Sequence, residues 1–242
     1  MKYALISDIH ANLEALQACL AEIDAEGADE ILCLGDIVGY GACPNECLDL
    51  VRQRARQIVI GNHDAAVIET TEADYFNGDA RAAVEWTRTE LTAENRDFLL
   101  QLPYTASPAD DLLLVHASPG EPEAWDYVID ERDARRELAA QSTRLCFVGH
   151  THVPGFFVQQ DGEILQFFPP DYHLEEGERA LVNVGSVGQP RDGDQRAAFG
   201  LYDSASGRIE IRRIGYDISR VQDRIRETTL PASAASRLAW GV

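Results

Sequence analysis

The sequence predicts an α/β protein of two mixed sheets packed face to face with helices outside. Three observations predict it. The first sixty residues alternate short apolar runs with helix-period patterns. The second half changes to apolar runs separated by hairpin turns. No repeat, low-complexity tract or Ser/Gly linker divides the 242 residues, so one domain over 1–242 is expected.

Residues 3–7 read as a buried strand. Asn12 caps a helix whose Leu13, Leu16, Leu20 and Ile23 share one face, and Gly27 stops it. Residues 30–34 form a second strand, Pro44 opens a second helix near Leu48 and Val51, and residues 57–60 form a third strand. Strand, helix, strand, helix, strand implies a parallel sheet. From about 64 to 102 the pattern is helical, with Trp86, Leu91 and Leu99 as apolar anchors and Pro103 as the stop. This segment is expected to work as a lid that sets substrate size. Strands follow at 111–115 and 145–148, around a helix at 130–141. Residues 156–159 and 163–167 flank Asp161-Gly162, a hairpin turn. Residues 169–178 are polar and contain proline, so an exposed loop is expected, with His173 solvated on it. Strands at 180–183, 198–202 and 208–212 and a helix at 218–227 complete the pattern.

The charge is unusual. There are 41 Asp plus Glu against 21 Lys plus Arg, a formal net charge of −20. That excludes a broad basic face for long nucleic acids and makes an anionic membrane a poor partner. Small anions remain open, because a cleft carries its own field. The five cysteines do not make a disulfide scaffold, and Cys43 and Cys47 have no second pair or nearby histidine to complete a zinc site. The chain reaches Asp8 too early for a secretory signal, and no apolar run approaches the roughly 20 residues that span a bilayer. A soluble, cytoplasmic protein is expected.

The chemistry lies in the histidines. Five of the six, His10, His63, His116, His150 and His152, fall just after a predicted strand. Ligands of open α/β sheets gather at strand carboxyl ends, so these loops are expected to converge. Each segment alone is a common polar strand end or turn. Together they are Asp8-x-His10, Gly35-Asp36, Gly61-Asn62-His63-Asp64, His116 and Gly149-His150-x-His152. Asp, Asn and His without cysteine suit a borderline or hard divalent ion.

This series resembles the calcineurin-like metallophosphoesterase superfamily. The run from Gly35 to Gly41 and the stretch from Asn183 to Asp192 resemble its small bacterial and archaeal phosphodiesterase branch. The resemblance implies the double β-sandwich and two divalent ions, drawn from Mn, Fe, Zn, Ni or Co. One ion would take Asp8, His10, Asp36 and His152. The other would take Asp36, Asn62, His116 and His150, with Asp36 bridging. His63 would be the proton donor to the leaving oxygen or a stabiliser of phosphoryl charge, and Asp64 would orient its ring. A metal-bridging hydroxide would attack phosphorus. Arg191, Tyr40 and Ser186 are further substrate-binding candidates, Ser186 through its backbone N–H. Gly39 stands where many relatives have a second acidic residue, and Ala117 where many have glycine. The expected activity is phosphodiester hydrolysis on small substrates. Its alternatives are a phosphomonoesterase or phosphoprotein phosphatase, a dinucleoside tetraphosphate hydrolase, a metal-storing or metal-sensing protein, and an inactive protein-binding scaffold. The sequence is silent on oligomeric state.

Overall fold

The computed structural model describes residues 1–71 and 76–242. One six-stranded sheet runs in the order β3-β2-β1-β11-β12-β9 and the other in the order β4-β5-β6-β10-β7-β8. In the first, β1 (Lys2–Ile6), β2 (Glu30–Cys33) and β3 (Gln57–Ile58) are parallel, joined by α1 (Leu13–Glu26) and α2 (Pro44–Arg54). The caps act as the sequence predicts: the Asn12 side chain accepts from Ala15 N–H, and Gly27 ends α1 in the left-handed conformation. Three helices follow, α3 (Asn62–Val67), α4 (Gly78–Glu90) and α5 (Ala93–Leu99). The predicted helical stretch 64–102 is therefore broken into short pieces, and residues 72–75 lie outside the described residues.

The second sheet is built from β4 (Thr105–Ala109), β5 (Leu112–Val115), β6 (Leu145–Val148), β7 (Gly155–Gln160), β8 (Glu163–Phe167) and β10 (Arg179–Asn183), with α6 (Glu131–Ala140) between β5 and β6. The hairpin at Asp161-Gly162 forms as expected between β7 and β8. Strand β4 is not legible in the sequence, because it is short and contains Pro108. It lies at a sheet edge, the position where proline is tolerated. The predicted exposed loop 169–178 needs correction. Residues Asp171–His173 form β9, which pairs antiparallel with β12 (Arg208–Ile214). Leu174 and Glu178 in the same segment are buried, and the Tyr172 hydroxyl donates to Glu178. His173 itself is exposed, as expected. Strand β11 (Ala197–Asp203) pairs antiparallel with β1, and α7 (Ile218–Arg226) and α8 (Ala232–Ser236) end the chain.

Strand alternation sets the layers. On β1, Tyr3 and Leu5 face the space between the sheets with Leu114, Phe147 and Phe156, while Ala4 and Ile6 face α1. A third set, including Val115, Cys146, Ala134 and Leu138, seals α6 onto the outer face of the second sheet. No helix among the described residues is long and apolar enough to cross a membrane.

Candidate metal centre

The loops leaving β1, β2, β3, β5 and β6 meet at one rim, and their polar residues are buried together. Asp8, His10, Asp36, Asn62, His63, Asp64, His116, His150 and His152 are each at most 6% exposed. Five of them hold a left-handed backbone without being glycine: Asp8 (φ 51°), His10 (48°), Asp36 (52°), His150 (66°) and His152 (62°). Such residues cost roughly 1 kcal/mol or more each and concentrate where geometry serves function. Glycines make the packing possible. A Cβ on Gly61 would sit 2.1 Å from Asp36 Oδ1, and one on Gly149 would sit 1.9 Å from Ser7 Oγ. These motif glycines are required by close approach, which lets the carboxylates tuck against neighbouring backbone.

Backbone donors then aim the carboxylates. Asp36 Oδ1 accepts from His63 N–H at 2.8 Å, and Asp8 Oδ2 accepts from His150 N–H at 3.0 Å. The Asn183 side-chain amide donates to Thr151 Oγ1 and to the Gly149 carbonyl, which fixes the loop carrying His150 and His152.

The imidazole tautomers follow from their partners. His10 Nδ1 faces the Val38 carbonyl, His116 Nδ1 the Leu34 carbonyl and His152 Nδ1 the Gln189 carbonyl, at 3.0, 2.8 and 2.5 Å. A carbonyl only accepts, so each Nδ1 carries a hydrogen, and in the neutral rings of His10 and His152 Nε2 presents a lone pair. Yet His10 Nε2 and His152 Nε2 face each other at 3.1 Å. His152 Nε2 lies 3.3 Å from Asp8 Oδ1, and Asp36 Oδ2 lies 3.6 Å from His10 Nε2 and 3.5 Å from His116 Nε2. His116 Nε2 also faces Asn62 Oδ1 at 3.1 Å and His150 Nδ1 at 3.2 Å. The acceptors of His10, His152 and Asp8 that face one another repel unless a cation sits among them. Bonds of about 2.1 Å place neighbouring ligand atoms about 3.0–3.4 Å apart, so the residues present fit divalent metal ions. His10 with Asp8 and His152, and Asp36 with Asp8 and His116, form clusters able to hold an ion.

Electrostatics agrees. Burial pushes the Asp8 and Asp36 carboxyls up, but His152 beside Asp8 and His116 beside Asp36 prevail and hold both well below the usual range. Burial holds His10 and His152 below the ordinary imidazole value and depresses His150 to about 3 and His63 to about 4. His116 is pushed up to about 9; burial opposes this, and the Asp36 charge outweighs it. A sign follows for the metal-free protein. Four imidazoles stay neutral in the fold while the unfolded chain takes up their protons below about pH 6.5. Stability is therefore lost as pH falls from about 6.5 toward 4. The raised Asp64 carboxyl works the other way, but it is one group against four. His116 is fully protonated across that window and changes little. The urea midpoint of chelator-treated protein should be lower at pH 5 than at pH 7; an equal or higher midpoint would refute this balance.

Asp64 corrects an expectation. It does not touch the His63 ring. It stands in the first turn of α3 and turns back, accepting from Ile37 N–H (2.9 Å), Val38 N–H (3.1 Å) and Gly61 N–H (3.1 Å). Burial and the Asp36 charge push its carboxyl up to about 7, against the pull of those amides. Asp64 thus ties the loop after Asp36 to the loop of Asn62 and His63. Asp64→Ala strands three buried amide donors. It should lower the melting temperature and cut both metal affinity and turnover by roughly 10–100-fold. Wild-type stability in that variant would contradict the role.

The Asp/His cluster opens into a cleft of about 130 Å³ whose lining includes Asp36, Tyr40, Asn62, His63, His150 and Arg191. Tyr40 and Arg191 are thus placed on its wall. Arg191 does not pair with Asp192, which instead meets Arg213. The expectation for Ser186 is corrected. It is fully buried behind Asp8, its hydroxyl donating to the Asp8 carbonyl and accepting from Gln189 N–H, so it braces the loop instead of facing substrate. Two wall residues escape sequence reading: Phe76 stacks on His63 at 4.7 Å and Tyr127 on His150 at 4.2 Å. Neither lies in a motif. Trp125 packs edge-on against His116 at 5.9 Å.

Known proteins are similar to this chain in sequence and fold. A family model described as the calcineurin-like phosphoesterase superfamily domain matches residues 1–207. An uncharacterized protein of Methanocaldococcus jannaschii is 40% identical over 241 residues, covering 98% of this chain and 97% of that one. The crystal structure of a metallophosphoesterase from Sphaerobacter thermophilus is 42% identical with a TM-score of 0.88, covering 100% of this chain and 99% of that one. A hypothetical protein from Pyrococcus horikoshii OT3 shares the fold at 21% identity and a TM-score of 0.79, covering 100% and 98%. With its family model, its relatives and its two flanked mixed sheets in agreement, the chain belongs to the calcineurin-like phosphoesterase superfamily.

Proposed function

We propose that this protein is a phosphoric-ester hydrolase with two divalent metal ions, acting as a phosphodiesterase on small substrates. The observation that carries the reading is the pair of Nε2 lone pairs, on His10 and His152, held 3.1 Å apart beside an ionised Asp8 in a phosphoesterase fold. In this reading Asp8, His10, Asp36 and His152 hold one ion, and Asp36, Asn62, His116 and His150 the other. Asp36 Oδ2 is near-equidistant from His10 and His116, which supports a bridge.

Divalent ions bound there supply Lewis-acid charge for a phosphoryl group and an acidified water. The remaining work belongs to the chain. Only Asp8 and Asp36 are anionic among the seven ligands, so the loaded site is net positive. It draws a phosphate ester through the field of a chain of net charge −20. Long nucleic acids stay disfavoured by that field. His63 Nδ1 is buried without a partner among the described residues, and the glycine at position 39 leaves room for the ring. The other ring nitrogen is left to serve the cleft. From it the ring donates to the leaving oxygen, and the negative charge of a bound ester favours its protonated form. Arg191, on the same wall, orients the phosphoryl group. The five buried, unpaired thiols support a reducing, cytoplasmic setting.

The test is Mn²⁺-loaded protein on bis-p-nitrophenyl phosphate, p-nitrophenyl phosphate and a dinucleoside tetraphosphate. The reading expects the diester to give the highest kcat/KM. Preference for the monoester would make the protein a phosphomonoesterase. No hydrolysis of any ester after loading would favour a binding protein on the same fold.

A further inference from the structure

The cleft over the Asp/His cluster is small. Its volume of about 130 Å³ falls well below the roughly 300 Å³ at which pockets for whole small molecules begin. It takes a phosphoryl group and little more, so the rest of a substrate lies outside it. A second hollow, of about 180 Å³, shares two segments of chain with the cleft. Tyr127, His150 and His152 line the cleft. Their neighbours in sequence, Val128, Ile129, Thr151 and Val153, line the hollow. Phe157 and Phe168 complete its apolar wall. Tyr127, 51% exposed and stacked on His150, stands at the junction of the two.

The hollow is apolar by construction. Among the described residues no Asp, Glu, Lys or Arg lines it, although these make up 26% of the chain. Its polar side chains are already engaged. Asn183 Nδ2 donates to the Gly149 carbonyl and to Thr151 Oγ1, and Asn183 Oδ1 accepts from Gly185 N–H. Thr151 Oγ1 also accepts from Val153 N–H, and Gln166 Nε2 donates to the Ile129 carbonyl. Phe168 is seated by a glycine: a Cβ on Gly155 would sit 2.9 Å from its ring. Ile129 and Phe168 are nevertheless 63% and 64% exposed. A polar arm entering here would lose water and find few free partners. A hydrocarbon arm would lose nothing and would cover both exposed side chains.

We propose that this hollow receives a hydrocarbon arm of the substrate while the phosphoryl group sits in the metal-loaded cleft. The arm leaves the cleft past Tyr127 and lies against Ile129 and Phe168. This rests on the hydrolase reading above. It names the substrate class as phosphodiesters in which one esterified group is apolar.

The test is calorimetry of Mn²⁺-loaded protein with methylphosphonate and hexylphosphonate, which share a headgroup and resist hydrolysis. The wild type should bind the hexyl compound about tenfold or more tightly, since each buried methylene favours binding by about threefold to fourfold. The double variant Ile129→Ser, Phe168→Ser should bring that ratio to within about twofold of one and leave the methylphosphonate affinity unchanged. Both positions are exposed, so the fold is expected to survive, and circular dichroism checks it. Leu100→Ser, 53% exposed elsewhere on the surface, should keep the wild-type ratio. Equal affinities in the wild type, no binding of either compound, or an unchanged ratio in the double variant overturns the proposal. A dimer in sedimentation that the double variant dissociates, with a wild-type ratio near one, overturns it in favour of a second copy. The diester assay above judges the hydrolase reading separately. Hexyl preference with no ester cleaved keeps the hollow as a binding site and removes the enzyme; ester cleavage without hexyl preference removes the hollow alone.

Discussion

Asp36→Asn is expected to lower kcat/KM by on the order of 10³ or more and to reduce bound metal. The substitution keeps the size of the side chain and removes the charge. Asp36 Oδ1 can still accept from His63 N–H, but Oδ2 is the atom facing both His10 and His116. Losing an anionic bridge there removes several kcal/mol of charge stabilisation, and three decades in rate correspond to about 4 kcal/mol. Metal analysis and steady-state kinetics on the same preparation check the result. Full metal content with activity within tenfold of wild type would remove Asp36 from the centre of the mechanism.

The second large effect is expected at His63. His63→Gln fills much of the same space beneath Phe76 and lacks an ionisable ring. It should lower kcat by about 10²–10⁴ and leave metal content unchanged. The geometry makes this a sharp test, because His63 also lies within a cluster with His10 and Asp36 that would fit an ion. Loss of metal in the variant would make His63 a ligand. Unchanged kcat would leave it no role in leaving-group departure.

Much of this site is legible in the sequence because the fold repeats one device. An apolar strand ends, a glycine or polar residue turns the chain, and a metal-capable side chain follows. Repetition at Asp8, Asp36, Asn62, His116 and His150 places these residues at one rim before any coordinates are known. The parallel strands β1 to β3 and the Asp161-Gly162 hairpin are legible for the same reason, since each rests on a local pattern. The illegible parts depend on distant packing. Strand β4 is masked by Pro108, and β9 is three residues that pair only because β12 arrives beside them. The orienting role of Asp64 is implied by the family resemblance and by no local pattern. Only the fold shows it turning away toward Ile37 and Val38. Phe76 and Tyr127 reach the cleft from two separate segments without a shared motif. The left-handed backbone at Asp8, His10, Asp36, His150 and His152 is equally invisible, because none of these residue types announces it as glycine would.

The central claim is that opposed lone pairs and ionised carboxylates at this rim form a two-metal hydrolytic centre. The most direct measurement is a Mn²⁺ titration of chelator-treated protein, following bis-p-nitrophenyl phosphate hydrolysis and bound metal together. The account predicts no turnover in the metal-free protein, and activity that rises to saturation at two equivalents of bound metal. Undiminished hydrolysis after complete chelation, or saturation with metal and no hydrolysis of any phosphate ester, would contradict it.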